Sequence, residues 1–527
     1  MARNIMIQGT MSAAGKSLLV TALCRIFCED GYRAAPFKSQ NMALNSYITQ
    51  DGLEMGRAQA AQAEAAGLLP DVRMNPILLK PTSDVGSQVI VNGKVRGQYR
   101  AADYFKMKKS LIPDILASYH SLARENDILV IEGAGSPAEI NLKADDIVNM
   151  GLAKMVDSPV ILVGDIDPGG VFAQLYGTIA LLEPEERRRI RGTVINKFRG
   201  DAEILRPGLH MLEELTGVPV LGVIPYTDAD IDDEDSLSGR LNRRMHEKPI
   251  DIAVIRLPRI SNFTDFAPLE EHPLLGVRYV SSRSELGRPD MIILPGTKNT
   301  MGDLRWLRES GLEGQILRMA SADTPVLGVC GGFQMLGKTI SDPCGVEEGG
   351  EIAGMSLLTV RTSFSGEKMR TRVRAQVNAG PFAGAELSAY EIHMGRTVTE
   401  EGTEPFAVTE PEEAKSRETR IEESSPEDSV DEDSFPSIGC EKGSAGRMDG
   451  AYSGNVFGTY LHGLFDSGEL TERLAEYLCA RRGIDAAAYK PESRAAYRER
   501  QYEKLAKCVR ESLDLERVYR IIFEGRN

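Results

Sequence analysis

A chain of 527 residues is long enough for two or three domains at roughly 100–200 residues each, and 42% hydrophobic residues allow each a sizeable core. A net charge of −15 argues against a general nucleic-acid binder or a basic membrane-surface protein, so neither partner is expected. Seven scattered cysteines without a CxxC pair suit a reducing compartment and no structural zinc; with no run near the roughly 18 apolar residues of a membrane span, a cytoplasmic protein is expected.

From the N-terminus, short apolar runs alternate with helical patterns, which predicts a parallel sheet in an α/β layer fold. Strands are expected at residues 4–8, 34–38, 128–132, 159–164, 192–196 and 218–224. A first helix over about 15–29 places Leu19, Leu23, Ile26 and Phe27 on one face. Cys24 and Cys28 lie on it at i, i+4, where packing is the expected role for both.

Between the first strand and this helix runs Gly9-Thr10-Met-Ser-Ala-Ala-Gly15-Lys16-Ser17. A glycine loop in a strand–loop–helix context cradles phosphate with backbone N–H groups at the helix N-terminus. Lys16 would reach the outer phosphates of ATP and the Ser17 hydroxyl would bind Mg²⁺. Five residues separate Gly9 from Gly15, one more than in the common loop. Glu132 ends an apolar strand, where carboxylates of open sheets meet the ligand crevice. Asp51, Asp145, Asp146, Asp165 and Asp167 are further candidates for the metal or phosphate side, Asp51 and Asp146 being taken with Glu132 as metal ligands. Asn196 and Lys197 close another strand and are candidates to contact adenine.

Residues 229–250 are polar and charge-dense and read as a linker between a domain over 1–228 and a second over 251–527. The second repeats the α/β pattern, with strands at 252–257, 291–294 and 326–329, so the fold class expected is two doubly wound α/β domains. From about 399 to 447 the pattern breaks. Eleven acidic against three basic residues between Glu410 and Asp433 predict a disordered acidic insertion, because so little apolar surface cannot offset the ordering entropy. Helical patterns at 469–482 and 492–522 close the chain, and no internal repeat is present.

The second domain carries a nucleophile turn, Gly328-Val-Cys330-Gly331-Gly332, between strand and helix. Flanking glycines would present the Cys330 thiol at a helix N-terminus, which favours thiolate. The Gly331 N–H could hold an oxyanion, with a second donor near Gly296 in Leu294-Pro-Gly-Thr-Lys-Asn-Thr300. A thiol nucleophile needs a base. Of the six histidines, His462 in Gly458-Thr-Tyr-Leu-His-Gly is the first choice and His393 the competitor.

These segments together resemble the cobyric acid synthase family, glutamine-hydrolysing amide synthases of cobalamin biosynthesis, over essentially the whole length. The resemblance rests on Pro36-Phe-Lys-Ser-Gln-Asn-Met-Ala-Leu-Asn-Ser, Met74-Asn-Pro-Ile-Leu-Leu-Lys-Pro and Glu132-Gly-Ala-Gly-Ser-Pro-Ala-Glu-Ile-Asn-Leu. The first half is similar to dethiobiotin synthetase, including the longer phosphate loop, and the second to class I glutamine amidotransferases, with Cys330 as nucleophile and His462 as base. The resemblance implies ATP-dependent amidation of the b, d, e and g carboxylates of adenosylcobyrinic acid a,c-diamide, with glutamine as nitrogen source. Ordinary class I enzymes carry H-x-E; here Gly463-Leu464 follow His462, so the third role is empty. The family's a,c-diamide synthase branch is the nearest alternative, and residues 36–46 point away from it. A ParA/MinD-type switch ATPase would carry a lysine where Met11 stands and would lack the cysteine turn. Retained Cys330 and His462 argue against a dead scaffold. No oligomeric state follows from the sequence.

Overall fold

Two parallel sheets carry the functional loops. The computed structural model describes residues 2–83, 86–231, 248–412, 446–486, 489 and 492–524. The first sheet has six parallel strands in the order Val220–Pro225, Ile190–Phe198, Val160–Asp165, Arg3–Gly9, Ile128–Glu132 and Ala34–Phe37. Its central strands are continuous apolar runs because helices cover both faces: Ile5 to Ile7 and Ile128 to Ile131 have no exposed surface. Ligands of such sheets bind beyond the carboxyl ends of the strands. Gly9, Glu132 and Asp165, ends of three adjacent strands, therefore share one crevice.

The second sheet runs Leu275–Val280, Ile250–Ile255, Met291–Leu294, Val326–Val329, Val456–Thr459, all parallel, closed by the antiparallel strand Ala451–Ser453. Val329 pairs with Thr459, so the residues that follow each strand, Cys330 and the 460–462 segment, leave the sheet side by side. A third sheet is built on the antiparallel pair Val360–Val377 and Glu386–Thr399 and takes in Leu461–His462 at its edge.

Residues 40–100 form an insert in the first domain. A four-stranded sheet (Gln40–Met42, Ile77–Ser83, Gly86–Val91, Lys94–Arg100) and a hairpin (Ser46–Ile48, Glu54–Gly56) precede and flank the helix Arg57–Ala65. This insert reaches the second domain. The Ser46 N–H donates to Asn262 Oδ1 at 3.0 Å, Tyr390 Oη donates to the Ser46 carbonyl at 3.2 Å, and Arg372 holds the Ile48 carbonyl at 3.2 Å. Glu54, fully buried, takes Lys80 of its own domain at 2.9 Å and Lys368 of the other at 2.6 Å.

Three sequence expectations are corrected. The pattern at 492–522 is two helices, Arg494–Ser512 and Leu515–Phe523, and they pack on the first domain. Tyr502, Leu505, Val509, Val518 and Ile522 share one core with Ile5, Ile7, Leu19 and Leu23, so the second domain does not extend to the last residue. The expected insertion at 399–447 contains ordered structure at its edges. Ala407–Pro411 pairs with Val360–Val377 and with Arg447–Asp449, burying Phe406 and Ala407; residues 413–445 lie outside the described residues. Of the linker at 229–250, residues 232–247 lie outside them too, while the Asp230 N–H donates to Gln501 Oε1 and Ile231 is buried. Cys24 is fully buried in the first core and Cys28 donates to the Ala66 carbonyl, so both serve packing.

Leu505→Ala should destabilise the first domain by about 2–5 kcal/mol, although position 505 lies beyond the second domain's sheet. Thermal unfolding followed with nucleotide present reads this. Unchanged stability would mean that the terminal helices add nothing to the first core.

Candidate functional site

The phosphate loop leaves Gly9, and Gly15 caps the helix Lys16–Glu29 in the left-handed conformation at φ 96°. A Cβ on Gly15 would fall 1.9 Å from Asn196 Nδ2, so only glycine fits there. Asn196 donates from Nδ2 to the Ala14 carbonyl at 2.9 Å, and Lys197 donates to the Ala13 carbonyl and to Asp165 at 2.7 and 2.6 Å. Asn196, expected at the adenine, thus also braces the loop from beneath. Thr10 donates its hydroxyl to Gln174 Oε1 and its N–H to the Val163 carbonyl, which fixes the loop's first turn.

Lys16 folds back on the Met11 and Gly135 carbonyls at 3.0 and 3.3 Å, the place an incoming phosphate oxygen would compete for. Ser17 Oγ donates to Glu132 Oε1 at 2.8 Å. Lys38 donates to the same oxygen at 2.9 Å and Gln62 to Oε2 at 2.6 Å. Burial alone would raise the Glu132 carboxyl, but Lys38 and the hydrogen bonds from Gln62 and Ser17 hold it below the usual range. Lys38 and Gln62 were not foreseen. Lys38 stands in the quoted Pro36-Phe-Lys segment at the end of a predicted strand, a signal available in the sequence; Gln62, on a helix of the insert, gave none.

The carboxylates separate sharply. Glu132 stays with Ser17 at the loop. Asp146, expected as a metal ligand, spends its carboxylate on the backbone N–H groups of Val148, Asn149 and Gly151 at 2.8, 2.9 and 2.8 Å and so caps the helix Met150–Met155. Asp51 sits exposed in the turn of the 46–56 hairpin. Asp145 pairs with Lys109 and Asp167 with Arg199. The residues that fit Mg²⁺ are therefore Ser17 and Glu132, two oxygen donors beside a phosphate cradle, and no group of three or more His, Cys, Asp or Glu suited to a metal occurs among the described residues. Gln62 Oε1, buried next to Glu132 with no hydrogen-bond partner, is an acceptor that the water of a hydrated cation would satisfy.

The second site is built at the ends of two neighbouring strands. Cys330 has φ 51° and ψ −107°, a strained conformation for a residue with a side chain. The flanking glycines make it possible: a Cβ on Gly332 would meet the Leu294 carbonyl at 1.9 Å, and one on Gly328 would meet Gly332 at 2.7 Å. The Cys330 N–H donates to the Thr459 carbonyl at 2.8 Å, which ties the turn to the strand leading to His462. Gly331 abuts Thr297, where a Cβ would lie 2.7 Å from Cγ2. Gly296 abuts His462, with 3.2 Å from a Cβ to Cε1. Both glycines expected to serve an oxyanion are thereby packed around the Cys330–His462 pair.

His462 Nδ1 lies 2.6 Å from Asp265 Oδ2, and Asp265 Oδ1 accepts the Gly463 N–H at 3.0 Å. Both side chains are buried. Burial by itself would lower the His462 pKa, but the Asp265 carboxylate first and then the Cys330 sulfur outweigh it and push the imidazole up to about 10. The third role that looked empty beside His462 is thus filled by Asp265, 197 residues earlier, in the Phe263–Phe266 turn. His393, the competitor, has its Nδ1 on the Gly395 carbonyl at 2.8 Å and its ring stacked on Tyr460 at 3.8 Å, whereas His462 is the histidine hydrogen-bonded to Cys330. The arrangement can place a thiolate against a carbonyl carbon, with an imidazolium beside it to protonate a leaving nitrogen.

A pocket of about 460 Å³ opens over Cys330 and His462. One wall comes from the first domain's insert, through Lys80, Ser87, Gln98 and Tyr99. No helix among the described residues is long and apolar enough to cross a membrane.

Residues 5–237 match the model of a CobQ/CobB/MinD/ParA nucleotide binding domain and residues 251–470 that of a CobB/CobQ-like glutamine amidotransferase domain. The second match stops short of the terminal helices that pack on the first domain. A cobyric acid synthase from Lachnoclostridium phytofermentans is 55% identical, covering 100% of both chains. One from Ruminiclostridium cellulolyticum is 55% identical over 100% of this chain and 98% of its own, and one from Alkaliphilus metalliredigens 52% over 98% and 99%.

The His462 ring should stay protonated through neutrality and lose its proton only as pH rises toward about 10. With the folded pKa above the ordinary 6.5, the stability this group contributes is complete below about 6.5 and is lost as pH climbs through about 10. Asp265→Asn should bring the transition down toward the ordinary value, read by NMR of the imidazole. Glutamine-dependent turnover should fall on the order of 10²–10⁴-fold, while ammonia-dependent turnover holds. An unmoved titration would show that Asp265 does not hold the ring.

Proposed function

The chain belongs to the cobyric acid synthase family, and on that premise we propose that it is an ATP-dependent, glutamine-hydrolysing carbon–nitrogen ligase acting on a corrinoid. The observation that carries the reading is the pairing, in one chain, of a phosphate loop backed by Glu132 and a strained cysteine turn backed by His462 and Asp265. Neither half alone suits the reaction. A P-loop site can make a leaving group but has no nitrogen source, and a thiol–imidazole site can free ammonia but cannot activate an acid.

The chemistry divides accordingly. The Cys330 sulfur attacks the amide carbon of glutamine, the C–N bond breaks, and His462 supplies the proton on which ammonia departs. Water then attacks the thioester, releasing glutamate and restoring the thiol. The N–H groups of Gly331 and of the 296–297 segment would hold the oxygen that gains charge in both steps. At the first site a corrinoid carboxylate attacks the γ-phosphorus of ATP, giving an acyl phosphate and ADP. Ammonia adds to the acyl carbon and phosphate leaves. The acyl phosphate is needed because hydroxide is a poor leaving group from a carboxylate. Lys16 and the loop N–H groups hold the phosphates. Ser17 and Glu132 would hold Mg²⁺, which when bound neutralises phosphate charge. The substrate is the b, d, e and g carboxylates of adenosylcobyrinic acid a,c-diamide, and the cytoplasm is where these soluble substrates meet the enzyme.

Incubation with ATP, amide-¹⁵N glutamine and the diamide should yield a corrinoid carrying one ¹⁵N for each new amide, read by mass spectrometry. An unchanged corrinoid would overturn the reading. Lys16→Ala should abolish amidation with glutamine and with ammonium alike, because the loop cation that balances phosphate charge is gone. Near-normal ammonium-dependent turnover in that variant would remove the phosphate loop from the mechanism.

A further inference from the structure

The pocket over Cys330 contains more charge than the thiol and imidazole use. Four charged residues on its wall, Lys80, Lys368, Arg259 and Glu348, already have counter-charges. Lys80 and Lys368 share Glu54, Arg259 faces Asp303, and Glu348 is held by Arg305 and Asn299. Lys298 and Glu347 are different. The Lys298 ammonium has a neutral hydrogen-bond partner, Gln88 Oε1 of the first domain's insert, at 3.3 Å. Its charged neighbours are Lys368 and Lys80, which repel it, and Glu54 and Glu347, which attract it. The Glu347 carboxyl accepts the Met301 N–H at 3.0 Å and hydrogen bonds from Thr300, and makes no short ion pair among the described residues.

Both residues sit on rigid supports. Lys298 lies in the turn between the strand Met291–Leu294 and the helix Thr300–Glu309, the same turn that brings Gly296 against His462. Glu347 belongs to a loop whose successive N–H groups, from Val346 to Gly349, all donate to the Asp342 carboxylate. Burial pushes Glu347 up to about 7 and, with the repulsion of Lys368 and Lys80, pushes Lys298 down to about 7. Each group therefore gains from a counter-charge that a ligand brings. A half-buried cation and a half-buried carboxylate on the wall of one pocket are matched by a molecule bearing a carboxylate and an ammonium on one carbon.

We propose that Lys298 and Glu347 are the specificity pair for the head of the glutamine molecule, Lys298 taking its α-carboxylate and Glu347 its α-ammonium, while the side-chain amide reaches Cys330. The assignment rests on the glutaminase reading of this pocket and adds to it the feature that selects an α-amino acid over other primary amides. Gln88 accepts from Lys298 and from Lys368, at 3.3 and 3.2 Å, so the first domain holds the lysine that reads the substrate of the second.

The test compares glutamine with glutaramate, the same molecule without its α-ammonium, as nitrogen donors for wild type and Glu347→Gln. Wild type should favour glutamine strongly. Glu347→Gln should raise KM for glutamine roughly 10–100-fold with kcat changed only a few-fold, as expected for one lost charge-assisted contact. The preference over glutaramate should shrink by the same factor. Lys298→Met should raise KM for both donors together, since both carry the carboxylate. Ammonium-dependent amidation, run in parallel, reports that each variant is folded, and Lys298→Arg should recover part of the loss if Lys298→Met is poorly behaved. Equal losses on glutamine and glutaramate in Glu347→Gln, or an unchanged KM, would overturn the proposal. A wild-type enzyme that takes nitrogen from neither donor would instead overturn the glutaminase reading beneath it.

Discussion

Glu54 is a carboxylate with no exposed surface, and what surrounds it organises the molecule. Burial would drive it neutral, yet Lys368 and Lys80 hold it well below the usual carboxylate range. One lysine comes from the first domain and the other from the long strand pair of the second. Removing a partner from such a group leaves an uncompensated buried charge, at a cost of about 3–5 kcal/mol. The domains are thus held in one arrangement by electrostatics as well as by packing. That arrangement closes the pocket over Cys330 with a wall from the first domain. The hairpin that carries Glu54 leads directly into the helix Arg57–Ala65, whose Gln62 holds Glu132 at the phosphate loop. A single short segment therefore touches the machinery of both sites.

Strain and charge are confined to the places where they do chemistry. Cys330 is held in a backbone conformation that costs about 1–3 kcal/mol, and glycines at 328, 331 and 332 relieve the crowding that any side chain would add. His462 is kept charged by a buried carboxylate whose second oxygen is fixed by the Gly463 N–H. At the other site Glu132 is fixed by three donors at once. In each case a reactive group sits at a strand end and is oriented by a residue from a different element, so that orientation survives local motion.

What the sequence made legible was local. The phosphate loop, Glu132 at its strand end, the cysteine turn and the preference for His462 over His393 all come from short patterns whose physics is contained within a few residues. Asp265 escaped because its bond to His462 spans 197 residues, and the expectation looked for a carboxylate only beside the histidine. Asp51 and Asp146 were the right residue types near the right strands, but Asp51 lies in an exposed hairpin turn and the Asp146 carboxylate caps a helix. The terminal helices read correctly as helices and wrongly as part of the second domain, since amphipathic periodicity reveals that a face is buried and not what buries it.

The central claim is that nitrogen release and carboxylate activation are separate chemistries at separate sites in one chain. Cys330→Ala tests it most directly, with amidation of the corrinoid measured using glutamine and, in parallel, using high ammonium at raised pH, where more free NH₃ is present. The account predicts that glutamine-dependent amidation disappears while ammonium-dependent amidation persists near the wild-type rate. Glutamine-dependent amidation near wild type in this variant, or loss of both activities in a protein of unchanged stability, would contradict it.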